Sequence, residues 1–194
     1  DRAIWGTAMG YKATLLALAL ALSACGDKEQ VIPRSTTVAT TFDGNLVTYE
    51  TRGRGDTALV FIHCWACNRD FWQYQLDYFE ADFKVIAMDL PGHGSSGVQR
   101  ANWTIEAFGQ DVKAVLDDQK VKNAILIGHS MGGPIALAAA KQLEGRVKAI
   151  ACVDSLHNLE RITPANTLAP FIEAMKQDYS CLLYTSDAAD DDVR

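Results

Sequence analysis

Ala124-Ile125-Leu126-Ile127-Gly128-His129-Ser130-Met131-Gly132-Gly133 runs from an apolar segment into a Gly-x-Ser-x-Gly turn. An Ala-rich segment over residues 134–143 follows. The apolar lead reads as a strand and the continuation as a helix. A serine between them sits on a sharp strand-to-helix turn that presents its hydroxyl at the strand's end. The glycines on either side let neighbouring backbone approach where a Cβ would collide. A Gly-rich connection capped by serine is the plainer alternative. The strand before and the helix after favour Ser130 as a nucleophile.

Outward from this turn, strands alternate with helices. Residues 58–63 form a continuous apolar run ending in a polar residue, as a buried parallel strand does. Residues 69–80 carry Phe71, Trp72, Leu76 and Phe79 at helical spacing, and residues 84–90 read as a second buried strand. Thr104 opens another helix with Ile105, Phe108, Val112, Val115 and Leu116 on one face. Residues 123–128 and 147–153 supply two further strands. Ahead of them, residues 37–42 and 46–51 flank Asp43-Gly44, a hairpin signal because glycine accepts the positive φ of a tight turn. The expected fold is α/β: a doubly wound, mostly parallel sheet entered through an antiparallel hairpin, with its core over residues 37–155.

Composition narrows the partners. The 194 residues are 48% hydrophobic and 22% charged, with a formal net charge of -6. That suits one globular domain and excludes a basic nucleic-acid footprint. Neither a zinc-finger spacing nor a phosphate-binding Gly-Lys-Ser/Thr loop occurs. No nucleic acid is expected as a partner.

The two ends read differently from the middle. Lys12 precedes a short apolar run over residues 13–22, which ends in Leu22-Ser23-Ala24-Cys25. The run falls short of the ~20 residues that span a bilayer, so residues 9–24 read as a signal-peptide core. A buried helix ending at a free cysteine is the plainer reading. Charge, apolar run and small-residue site in this order resemble a bacterial lipobox. The resemblance implies diacylglycerol on Cys25 and an acyl chain on its amine. The chain is then exported and anchored to a bacterial membrane, the outer one favoured because Gly26 and not Asp follows. Residues 1–8 read as upstream translation and 25–36 as a tether. Cys181-Leu182-Leu183-Tyr184-Thr185-Ser186 and Asp187-Ala188-Ala189-Asp190 back-translate to codons that look like a sequencing-library adapter. Residues 181–194 are set aside on that ground, against the alternative of an acidic tail.

Three motifs together resemble the α/β-hydrolase superfamily over residues 37–155. Phe61-Ile62-His63-Cys64-Trp65 looks like the end of the third strand, where the family reads His-Gly and a hydrophobic residue. Asp89-Leu90-Pro91-Gly92-His93-Gly94-Ser95-Ser96 looks like the turn after the fourth strand. The Ser130 turn is the nucleophile elbow. The resemblance implies Ser130 as nucleophile, with the Met131 and Trp65 N–H groups as oxyanion donors. Serine at the elbow argues against dehalogenases and epoxide hydrolases, which need Asp there. Cys64 departs from the family glycine. Cys64-Trp65-Ala66-Cys67 also matches a thioredoxin-like C-x-x-C, but a structural pair or two free thiols fits the surrounding pattern better.

The histidines give no base. His129 packs in the elbow, His63 and His93 shape turns, and His157 comes too early in the chain for the family's histidine. The catalytic histidine is expected beyond the sequence given, so the chain reads as a fragment ending near the sixth strand. Asp154 reads first as a strand-end residue serving a turn, and second as the catalytic acid. Residues 156–180, with Phe171 and Met175, read as the start of a lid. The resemblance implies hydrolysis of a carboxylic ester or related acyl compound, with no metal or organic cofactor. Lactonase, C–C bond hydrolase and cofactor-free peroxidase-like activities use the same elbow. A non-catalytic ligand-binding surface lipoprotein is the alternative of a different class. The chain as given is expected to be inactive and marginally folded, with strand six an open edge.

Overall fold

A computed structural model describes residues 34–155, together with 169, 170 and 173. Among these residues six strands form one sheet: β1 (Arg34–Thr40), β2 (Leu46–Arg52), β3 (Thr57–Ile62), β4 (Lys84–Met88), β5 (Asn123–His129) and β6 (Val147–Val153). The order is β1-β2-β4-β3-β5-β6. β1 and β2 pair antiparallel, as do β2 and β4, while β4, β3, β5 and β6 run parallel. The connecting helices are α1 (Gln73–Phe79), α2 (Ile105–Asp118) and α3 (Gly132–Gln142). The expected mostly parallel α/β sheet is therefore the fold observed.

Side-chain alternation along β3 builds a core on each face. Val60 and Ile62 face α2 and α3, packing with Phe108, Val112, Leu116, Ile135 and Ala139. Leu59 and Phe61 face the other way, against Trp72, Leu76, Val85 and Ala87. Thr104 caps α2 by accepting from the Ala107 N–H at 3.1 Å, which fixes where that helix starts.

Three boundaries differ from the sequence reading. β1 begins at Arg34, so residues 34–36 belong to the sheet and not to the tether. Their backbone pairs with residues 50–52, and the Arg34 guanidinium reaches Asp77 and Glu80 beside α1. The hairpin loop spans residues 41–45, closed by Thr41 N–H donating to Asn45 O at 2.9 Å. Residues 69–80 are not one helix: Arg69–Trp72 is a 3₁₀ turn capped by Asn68, and α1 starts after it. The tighter 3₁₀ winding rotates Phe71 out of the apolar face, leaving it 64% exposed while Trp72 and Leu76 stay buried.

β6 pairs with β5 alone among the described residues and lies largely exposed at the sheet edge. No helix among the described residues is long and apolar enough to cross a membrane. Cys25, His157, the leader, the adapter-like tail and the lid reading, apart from residues 169, 170 and 173, lie outside the described residues.

Candidate active site

Ser130 follows β5 directly and holds a φ of 50°, a left-handed conformation that residues with a Cβ rarely adopt. Hydrogen bonds over-determine it. The Ser130 N–H donates to Val153 O at 3.1 Å, and its carbonyl accepts from Gly133 N–H at 3.0 Å and from Ser155 Oγ at 2.6 Å. The glycines have the close-approach role that the motif suggests. A Cβ on Gly132 would overlap the Ile62 carbonyl oxygen, and one on Gly128 would overlap the Gly132 carbonyl. The start of α3 is thereby drawn against the end of β3. Ser130 is left exposed at the carboxyl end of the strands, where open α/β sheets bind ligands.

Met131 follows at the N-cap of α3, in helical backbone. Its side chain and that of Trp65 line one cavity of about 580 Å³, with His93, Trp103 and Phe108 among the other walls. The cavity therefore begins one residue from Ser130. Trp65 belongs to a turn after β3 in which Cys67 N–H donates to Cys64 O at 3.3 Å and Ala66 has a φ of 60°. Cys64 and Cys67 form a disulfide. The two cysteines are therefore bonded and are not free thiols.

Two buried residues tie this turn to the next. His63 is 1% exposed, and its Nε2 accepts from the Leu90 N–H at 2.9 Å while Nδ1 meets the Cys64 carbonyl at 2.7 Å. The accepting Nε2 requires the neutral ring, with its proton on Nδ1. Burial pulls the His63 pKa down to about 4, consistent with that form. Asp89 is buried and accepts from the Arg69 N–H and the Ser95 N–H, both at 2.8 Å, and pairs with the Arg69 guanidinium. Gly94, at φ 50°, passes so close to the Asp89 carboxylate that a Cβ would overlap it. The Asp89–Ser96 motif is thus a lock that sets the cavity floor.

The remaining sequence candidates sit as follows. Asp154 follows β6 directly, exposed and with a φ of 43°. His93 stacks at 5.1 Å from His63, with its Nδ1 3.2 Å from Pro91 O. His129 meets Trp72 edge-on at 6.5 Å. Among the described residues no cluster of His, Cys, Asp and Glu is placed to hold a metal ion. Sequence reading missed the Arg69–Asp89 pair, although Asp89 stood in a quoted motif. It also missed Arg100, whose guanidinium binds Asp111 and Asp43 and lies 5.6 Å from the Trp103 ring on the cavity wall. Arg100, Trp103 and Asp111 lie within eleven residues of one another, but no helical or strand spacing links them, and Asp43 joins from 57 residues away.

Comparison with known proteins agrees with this geometry. The family described as alpha/beta hydrolase fold matches residues 57–180. The acetyltransferase component of the acetoin cleaving system of Cupriavidus necator (dihydrolipoyllysine-residue acetyltransferase) is 35% identical over 111 residues, covering 57% of this chain and 30% of that protein. 3-Oxoadipate enol-lactonase 2 of Acinetobacter baylyi is 38% identical over 86 residues, covering 44% and 32%. The solved structure of Est816, described as an N-acyl homoserine lactone degrading enzyme, is 32% identical with a TM-score of 0.58, covering 61% of this chain and 45% of that one. The chain spans less than half the length of these relatives. With strand order, elbow and family match in agreement, the chain belongs to the α/β-hydrolase fold family.

Proposed function

We propose that the complete protein is a serine hydrolase that cleaves carboxylic esters, lactones included as cyclic esters, through an acyl-Ser130 intermediate. The observation that carries this is Ser130 itself, exposed and held at positive φ on the elbow, one residue from Met131 in the cavity wall. Ser130 Oγ attacks the ester carbonyl carbon and loses its proton to a base. The oxyanion that develops is taken by the N–H groups of Met131 and Trp65, as preorganised donors do in acyl transfer. The alkoxide leaves with a proton, and water then releases the acid from Ser130. His63 is neutral and committed to two turn contacts, and the base is the histidine that the family carries after its last strand, outside residues 34–155. The lactone class is supported by one relative described as an enol-lactonase and one described as an N-acyl homoserine lactone degrading enzyme, at 38% and 32% identity.

The test is fluorophosphonate labelling and p-nitrophenyl ester or lactone turnover by the complete protein. Both are expected and both are abolished in Ser130→Ala. A protein that takes no label and turns over neither substrate is a ligand-binding member of the fold instead. In the same reading, Cys25 carries lipid and residues 26–33 link it to β1 at an exported location. A disulfide beside the cavity supports an oxidising compartment. Alkynyl-fatty-acid labelling that survives Cys25→Ser would remove that part of the proposal.

A further inference from the structure

The Cys64–Cys67 disulfide closes the four-residue turn that carries Trp65, one wall of the cavity and one of the two assigned oxyanion donors. Apart from the sulfur bond, the turn's own backbone closure is weak. Its backbone bond, Cys67 N–H to Cys64 O, is long at 3.3 Å, and Ala66 within it sits at a φ of 60°. A residue with a Cβ leaves that conformation when nothing holds it there. The flanks, by contrast, are held independently of the disulfide. His63 bridges the Cys64 carbonyl and the Leu90 N–H, Asn68 accepts from the Asp70 N–H at 2.9 Å, and Arg69 N–H donates to buried Asp89 at 2.8 Å. Among the described residues, reduction therefore loosens the 64–67 turn and not its flanks. Cys64 and Cys67 are half-buried beside an exposed Trp65, at 42% exposure, so a small reductant reaches them.

We infer that the Cys64–Cys67 disulfide is a redox-controlled clamp on the oxyanion turn: oxidised, it aims the Trp65 N–H at the cavity, and reduced, it lets the turn relax and hydrolysis slow. The inference rests on the serine-hydrolase reading. The step balances with a dithiol as reductant. A thiolate attacks one sulfur, the Cys64–Cys67 bond breaks, and the mixed disulfide resolves. The protein then holds two thiols, and the dithiol leaves as its own disulfide. Two electrons and two protons have moved to the cysteines. Cys64 and Cys67 are positioning residues in this account, because the donor they place is the backbone of Trp65.

The experiment uses the complete protein, oxidised or reduced with dithiothreitol, with the state of both cysteines read by iodoacetamide mass mapping. Losing an oxyanion donor typically costs ~10²–10³ in rate, and a misaimed one costs less, so kcat is expected to fall roughly tenfold on reduction. KM is expected to rise by less than kcat falls, since Trp65, Ala66 and Cys67 line the cavity but its other walls lie outside the turn. Cys64→Ser/Cys67→Ser is expected to show the low kcat in both conditions. Full kcat after proven reduction, or full kcat in the double variant, overturns the clamp. A double variant that still responds to dithiothreitol also overturns it, because the response then lies elsewhere. Amide hydrogen exchange over residues 63–70 gives a readout that needs no turnover. Faster exchange confined to the turn is expected on reduction, and unchanged exchange overturns the clamp. Ser130→Ala separates the two readings: if it keeps turnover, the serine reading fails while the exchange result still judges the clamp.

Discussion

His63 makes acid pH a specific probe of the cavity floor. It is 1% exposed, and its Nε2 accepts the Leu90 N–H, a bond that an imidazolium cannot accept. Burial lowers the His63 pKa from 6.5 to about 4, so the unfolded chain protonates before the folded one does. Across that window the unfolded state binds more protons, and stability therefore rises with pH. The contribution is full above about pH 6.5 and is lost as pH falls towards 4. A tenfold change in proton affinity is worth about 1.4 kcal/mol, which gives a loss of about 2 kcal/mol at about pH 5. The assay is urea unfolding followed by tryptophan fluorescence over this range, for the wild type and for His63→Gln, whose amide does not titrate. The wild type is expected to lose stability steeply on acidification, and the variant to start lower and follow a flatter curve. Asp111, whose carboxyl burial pushes up, works in the opposite direction but is common to both proteins. An unchanged acid slope in His63→Gln would refute the reasoning, because the protons would then be going elsewhere.

Two further outcomes follow from contacts at the cavity. Gly132→Ala places a Cβ against the Ile62 carbonyl and must push α3 from β3. We expect a loss of about 1–3 kcal/mol in urea unfolding together with weaker fluorophosphonate labelling of Ser130. Arg100→Met leaves Asp111, which is fully buried, without its guanidinium partner. The expected cost is about 3–5 kcal/mol at neutral pH, smaller in acid where Asp111 takes up a proton, and largely recovered in Arg100→Met/Asp111→Leu. A double variant as unstable as the single one would show that the charge is not the cause.

The legible part of the fold follows from short-range rules. A buried strand ending in a Gly-x-Ser-x-Gly turn needs only the apolar run, two glycines and a helix-forming continuation, all within residues 124–143. The elbow was readable for that reason, as were the Asp43-Gly44 hairpin and the Thr104 cap. Phe71 misled because its apolar character fitted an α-helical stripe, whereas Asn68 caps a 3₁₀ turn that changes the angle between successive side chains. The extra residues of β1 were missed because Arg34-Ser35-Thr36 is polar. Their place in the sheet comes from pairing with residues 50–52 and from Asp77 and Glu80 across α1.

Sequence alone determined which segments are strands and helices, where Ser130 stands, and that strands and helices alternate. Each of these is encoded by neighbours a few residues apart. Tertiary structure decided the strand order, with β3 between β4 and β5, and the meeting of Trp65, His93, Trp103 and Met131 around one cavity. It also decided that Cys64 and Cys67 are bonded, that His63 is neutral, and that Arg100 is sealed against Asp111. The neutral His63 and the sealed Arg100 depend on which segments exclude water together, and burial of that kind has no periodicity in the chain, while the Cys64–Cys67 bond joins residues only three apart whose spacing suits bonded and free thiols alike.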